Sequence, residues 1–305
     1  MAELTSKDNI VTIDAPQQLL SEPRRFDFLR ALYTSPVGLA GFIIVTIVVF
    51  FAIFGTMISP FDPAENNLRA RFQPPGFVND DGATHILGTD QLGRDILSRI
   101  IAGSRVSVIV GVVAVMIAGT IGVLYGLIAG FFGGTLDAIM MRMVDALLSI
   151  PFIILVVAIS GVVGAGLTTL ILILGFTGWV TYARVIRGEV LKVRELEYVT
   201  AAYAIGQRRI MVMFKQILPN VISTGIILAA TQVGVTILAE SSLSFLGLGV
   251  KPPEITWGLM LADGRQYMGS AWWMTTFPGL AITITVLGVV FLGDWLRDVL
   301  DPNVR

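Results

Sequence analysis

The sequence predicts an all-α integral membrane protein with six transmembrane helices and both termini in the cytoplasm. Three observations carry this. Only 14% of the 305 residues are charged, where a soluble domain carries about 25%. Hydrophobic residues make up 54%, and the mean hydropathy is +0.79. The apolar residues also gather into runs of the length a bilayer demands, since a hydrocarbon core of about 30 Å takes roughly 20 helical residues.

Residues 1–36 are polar, with acids and bases mixed and no short apolar core. They read as a cytoplasmic tail rather than a cleaved signal, which makes the first apolar run a permanent anchor. That run, residues 37–58, carries no charge. Ser35 suits the cap before it and Pro36 the first helical position. Residues 59–105 form the first long loop, expected outside. Within it Asp90 is the expected cap of an amphipathic helix lying flat on the outer face. Leu92, Ile96, Ile100 and Ile101 make its apolar stripe, and Asp95 and Arg99 an acid–base pair four apart. A contact for a partner or gate and a structural brace are both open for it, as for its turn residues Gly88, Thr89, Asp90, Gly93 and Arg94.

Residues 106–293 hold the other five spans. The second runs from Val106 to Phe131, with Ala118, Gly122, Gly126 and Gly130 four apart, a small-residue face that admits another backbone within the chain or from a partner. The third begins with Asp137, Arg142 and Asp145, continues apolar from Ala146 to Val163, and should kink at Pro151. Arg142 and Asp145 are spaced to pair. After the glycine turn "GVVGAG" come the fourth (Leu167 to Val185), fifth (Val221 to Ala239) and sixth (Thr275 to Leu292) spans. Residues 294–305 form a tail with Asp294, Arg297 and Asp298 on a short helix.

Lys and Arg set the orientation. Lys7, Arg24, Arg25 and Arg30 lie in the opening tail, and Arg184, Arg187, Lys192, Arg194, Arg208, Arg209 and Lys215 between spans four and five. Only Lys251 and Arg265 lie between five and six. The first loop carries Arg69, Arg71, Arg94, Arg99 and Arg105, balanced by comparable acids. Both termini and the four–five loop are therefore assigned to the cytoplasm.

Several chemistries are excluded or unsupported. There is no cysteine, hence no disulfide, thiolate metal site or cysteine nucleophile. The net charge of −1 gives no basic excess for phosphate backbones, and no nucleic-acid partner is expected. His85 is the only histidine, and without a carboxylate cluster it makes no metal site. No GxxxxGK[ST] loop is present to cradle ATP, and no HExxH. Glu240, at the outer end of span five, suits either a gate or a solvated interface. Trp257, Tyr267, Trp272 and Trp273 fit an interfacial aromatic belt.

One polar stretch interrupts the apolar pattern: "YVTAAYAIGQRRIMVMFKQILPN", Tyr198 to Asn220. A helix from Glu195 to Ile205 puts Leu196, Val199 and Tyr203 on one face. Gly206 ends it in the left-handed conformation, and Gln207, Arg208 and Arg209 open a second helix that enters the membrane at Ile217, Leu218 and Pro219. Such a helix either presses into a groove on a neighbouring protein or lies on the lipid surface.

"TAAYAIG" followed by "ILP" resembles the EAA loop of binding-protein-dependent ABC importer permeases. Ala201, Ala202, Gly206, Ile217, Leu218 and Pro219 match that motif, while Thr200 stands in place of its leading glutamate. "HILGTDQLGRDILSRIIAGSRVSV", "MRMVDALLSIP", "AESSLSFLGLG" and "LGDWLRDVLDP" are similar to the dipeptide, oligopeptide and nickel branch, second (C-type) permease subunit. The resemblance implies the type I ABC importer permease fold in a bacterial cytoplasmic membrane. It implies a second homologous permease, two ATP-binding subunits that use ATP and Mg, and an extracytoplasmic solute-binding protein. This chain itself would hold no cofactor and no catalytic residue. The loop at about residues 186–219, with Thr200, Ala201, Ala202, Tyr203, Gly206, Ile217, Leu218 and Pro219, would couple it to the ATPases. Asp90, Arg94 and Glu240 are candidate gate or binding-protein contacts. An ion-coupled secondary transporter is the alternative, and would need charged groups in mid-span.

Overall fold

A computed structural model describes residues 25–80 and 82–300. Lys7, Arg24 and residues 301–305 of the expected tails lie outside the described residues. Eleven α-helices are present among those described: α1 (Arg25–Thr34), α2 (Pro36–Ile58), α3 (Ile96–Phe132), α4 (Gly134–Leu148), α5 (Phe152–Val163), α6 (Leu167–Val193), α7 (Glu197–Ala204), α8 (Arg209–Val212), α9 (Leu218–Phe245), α10 (Trp257–Gly264) and α11 (Trp273–Leu300). A two-stranded antiparallel hairpin, β1 (Phe77–Val78) with β2 (Thr84–His85), lies in the loop between α2 and α3.

Among the described residues, five helices are long and apolar enough to cross a membrane. The sixth span exists only if α4 and α5 are taken as one bent unit, for they meet at 83°. Pro151 therefore breaks this segment rather than kinking it. Proline supplies no amide hydrogen to the preceding turn and clashes with it, and α5 starts afresh at Phe152. At α2 the Ser35 hydroxyl accepts from the Gly38 amide at 3.2 Å, with Pro36 in the first position. α2 packs on α11 through glycines: a Cβ on Gly41 would stand 2.6 Å from the Leu292 amide, and one on Gly288 2.4 Å from Ile44.

α3 is the long central helix. Its 37 residues extend about 55 Å at ~1.5 Å per residue, well beyond a hydrocarbon core. The expected flat helix before span two is in fact the first turns of α3. Its cap is Asp95, not Asp90: an Asp95 carboxylate oxygen accepts from the Ser98 amide and hydroxyl at 2.8 and 2.7 Å. The Asp90 carboxylate is engaged one turn earlier, accepting from the Leu92 and Arg94 amides at 2.8 and 3.0 Å. It closes a tight loop in which Gly93 takes φ +75°.

Gly122, Gly126 and Gly130 all face α6. A Cβ on Gly122 would meet the Trp179 carbonyl at 2.4 Å, and one on Gly130 the Val190 Cβ at 2.9 Å. The small face thus brings two helices of the same chain together. The pair is tied further through α4: Asp137 receives two hydrogen bonds from the Arg187 guanidinium at 2.5 and 2.6 Å. Asp145 pairs with Arg184 of α6, not with Arg142 as its spacing suggested. Asp294, Arg297 and Asp298 belong to the unbroken last turns of α11 and form no separate tail helix.

Candidate functional site

Two constellations stand out, at opposite ends of α9. At its start is an elbow formed by α7, α8 and a π-helical turn, Met213–Ile217. The buried side of α7 is Val199 (0% exposed) and Ala202 (5%), packed into a cluster with Val190, Val193, Val212, Met213, Ile217 and Val221. Leu196 and Tyr203, expected on the face of Val199, are exposed instead. α7 begins only at Glu197 and lasts eight residues, so only its central positions reach the core. Thr200 and Ala201 are exposed as well.

Gly206 ends α7 with φ +81°. Its amide donates to Tyr203 O at 2.9 Å and the Gln207 amide to Ala202 O at 3.1 Å, a left-handed helix stop. The chain then turns into α8 and the π-turn, which present Ile210, Met211 and Phe214 to the outside, with Arg208, Arg209 and Lys215 around them. Together these six residues line a shallow cavity of about 600 Å³. Ile217 is fully buried, Leu218 half-buried and Pro219 exposed.

The π-turn was not foreseen, yet its cause is in the sequence. Pro219 has no amide hydrogen for the Lys215 carbonyl, and the Leu218 amide bonds one residue further back, to Met213 O. The Asn220 side chain donates to Gln216 O at 2.6 Å. The proline is what disturbs the i→i−4 ladder here.

Beyond the other end of α9 lies a clamp. Arg94 donates to Asp90 at 2.6 Å and approaches Asp263 of α10 at 3.6 Å. Arg99 lies 3.6 Å from Asp90 and 3.8 Å from Asp263. Sequence spacing proposed Arg99 with Asp95, but Asp95 is taken by His85 Nδ1 at 2.9 Å. His85 is in turn stacked on Phe61, with ring centroids 4.3 Å apart. Burial pushes the Asp263 carboxyl up from its ordinary range, against the pull of Arg99 and Arg94. Asp90 and Arg99 are only 5% and 3% exposed, so this charge is spent inside the chain.

Glu240 is 0% exposed, which overturns the solvated-interface reading. Its carboxylate accepts from Ser244 Oγ at 2.8 Å and Ser241 Oγ at 3.3 Å. Thr256 also hydrogen-bonds to it while capping α10, where its Oγ1 accepts from the Leu259 amide at 3.1 Å. The aromatic belt also needs correction. Trp257 and Trp273 are buried, and their indole N–H groups donate to Ile100 O at 2.9 Å and Thr89 O at 3.1 Å. Tyr267 is half-buried against Phe72, and Trp272 alone of the four is exposed. Among the described residues no group of three or more His, Cys, Asp or Glu side chains is placed to hold a metal ion.

The family described as binding-protein-dependent transport system inner membrane component matches residues 122–305. The chain belongs to that family. The description N-terminal TM domain of oligopeptide transport permease C matches residues 25–75. Among similar proteins, the dipeptide transport system permease protein DppC of Bacillus subtilis (strain 168) is 39% identical, over 92% of this chain and 86% of its own length. The di/tripeptide transport system permease protein DppC of Pseudomonas aeruginosa (strain UCBPP-PA14) is 37% identical, over 92% of each. The oligopeptide transport system permease protein OppC of Bacillus subtilis is also 37% identical, over 92% of this chain and 90% of its own. A chain of the inward-facing MetNI methionine ABC transporter shares the fold, with TM-score 0.56 and 20% identity over 67% of this chain and 96% of that one. This inner membrane component is thus a permease subunit of an ABC importer.

Proposed function

We propose that this permease subunit forms, with a second homologous permease, the pathway for peptides or similar small solutes handed over by an extracytoplasmic solute-binding protein. Two partner ATP-binding subunits, using ATP and Mg, supply the energy, and this chain binds no cofactor. The force of nucleotide turnover enters this subunit through the elbow. Both termini and the elbow face the cytoplasm, a placement supported by the many basic residues between α6 and α9 and the few between α9 and α11.

One observation carries the coupling role. Val199 and Ala202 root α7 in the core while Ile205, Ile210, Met211 and Phe214 stand outside it. A rooted lever with an apolar, base-rimmed tip has the shape of a partner-docking element. An amphipathic helix resting on lipid would turn its apolar side chains one way. Here Val199 and Ala202 point inward while Tyr203 and Ile205 point out. An ion-coupled carrier would need free charges in mid-span, whereas Asp137 and Asp145 are held by Arg187 and Arg184, and Glu240, near the far end of α9, is enclosed by the hydroxyls of Ser241, Ser244 and Thr256.

The test is Gly206→Asp. At φ +81° a side chain is strained by about 1–2 kcal/mol, but nothing lies within 4 Å of its Cβ. The variant should insert normally and lose solute-stimulated ATP hydrolysis in the reconstituted complex. Full stimulation with a properly inserted variant would refute the coupling role.

A further inference from the structure

The end of the bundle that carries the elbow also holds a cavity of about 750 Å³ between α6, α9 and α11. That volume falls in the range of small-molecule pockets, about 300–1,000 Å³. Its α9 wall carries Asn220, Ser223, Thr224 and Thr231, spaced to share one face of the helix. Such amide and hydroxyl side chains can offer a solute both hydrogen-bond donors and acceptors.

The other two walls carry charge of both signs. α6 contributes Glu189 and Lys192, which pair with each other at 3.1 Å. α11 contributes Asp294 and Arg297, and neither forms an ion pair among the described residues. Three apart on one helix, an anion and a cation share one face with their Cβ atoms about 5–6 Å apart. The ammonium and carboxylate of an extended dipeptide lie about 7 Å apart, at ~3.3–3.6 Å per residue.

We propose that this cavity binds short peptides as zwitterions, with Asp294 receiving the free ammonium, Arg297 the free carboxylate, and the α9 hydroxyls the peptide group between. A guanidinium matches a carboxylate with two parallel hydrogen bonds. The inference rests on the solute reading given under Proposed function, since it names the feature of the solute that this chain itself recognises.

The chain lacks cysteine, so Thr224→Cys introduces a unique thiol in the cavity. The experiment uses the full chain in phosphatidylcholine nanodiscs and a charged, water-soluble thiol reagent. L-alanyl-L-alanine should slow labelling. Its N-acetylated or C-amidated forms should protect about tenfold less or worse, the worth of one charge-assisted hydrogen bond. Asp294→Asn and Arg297→Gln should each remove the preference at one terminus only. Thr231→Cys, further along the same face, repeats the measurement should Thr224→Cys not fold.

Equal protection by free and capped peptides overturns the proposal. So does protection that appears only when phosphatidylglycerol is added, which would assign the cavity to a lipid headgroup. Labelling needs neither nucleotide nor ATPases, so the two readings separate. ATP-driven uptake without protection removes the site, and protection without ATP-driven uptake removes the permease reading while leaving the site.

Discussion

Replacing Gly126 by alanine tests the α3–α6 seam with one methyl group. The new Cβ would lie 2.5 Å from the Ala183 carbonyl oxygen, 2.9 Å from the Arg187 amide and 3.0 Å from the Ile186 Cβ. Two of these are backbone atoms of a helix held by its own ladder, so no rotamer change relieves the clash and the helices must part. Overpacking of this kind costs about 1–3 kcal/mol. Alanine also gains roughly 1 kcal/mol of helix propensity over glycine, which would blur a single measurement. Gly188→Ala on α6 cancels that term. It makes the same exchange inside a helix, with nothing within 4 Å of the new Cβ. Gly126→Ala should therefore be less stable than Gly188→Ala by about 1–3 kcal/mol, read as reversible unfolding of the purified chain in mixed micelles. Equal stabilities for the two variants would refute close packing along this seam.

Two further predictions concern the clamp and the buried Glu240. Burial raises the Asp263 carboxyl above its unfolded value, so folding takes up a proton there, and its contribution to stability is present at low pH. That contribution is lost as pH climbs from about 4 through the raised pKa. Asp263→Asn should flatten this part of the pH–stability profile, and an unchanged slope would contradict the assignment. Glu240→Leu should destabilise by about 1–3 kcal/mol for each buried hydroxyl left unbonded, whereas Glu240→Gln should keep most of the stability in the same unfolding assay. Equal losses in the two variants would show that the hydrogen bonds at Glu240 do not matter.

Helix identity was legible in the sequence because hydrophobic run length reports directly on membrane spans. Caps were legible where one residue had no competitor, as at Ser35. The sequence misled wherever two local partners competed with a distant one. Asp145 sits three residues from Arg142 but reaches Arg184 on the neighbouring helix, and Arg99 leaves Asp95 for Asp90 and Asp263. Spacing along one helix says which residues share a face, not what faces them. Tryptophan misled for a different reason. Its large ring with one donor suits both an interface and a core, and only the Ile100 and Thr89 carbonyls that receive the two buried indoles decide between them. The elbow was placed correctly by Gly206 and Pro219, whose backbone constraints are local, but the inward side of α7 depended on where that short helix begins.

α10 is fastened at both ends, by Thr256 to Glu240 of α9 and by Asp263 to the two arginines near the start of α3. Trp257 and Trp273 add two more rivets across the same region. This end of the bundle is thereby tied into a plate whose parts are cross-linked to one another. Rearrangement of this subunit then falls to elements outside that plate, among them the α4–α5 segment broken at Pro151 and the π-turn ahead of α9.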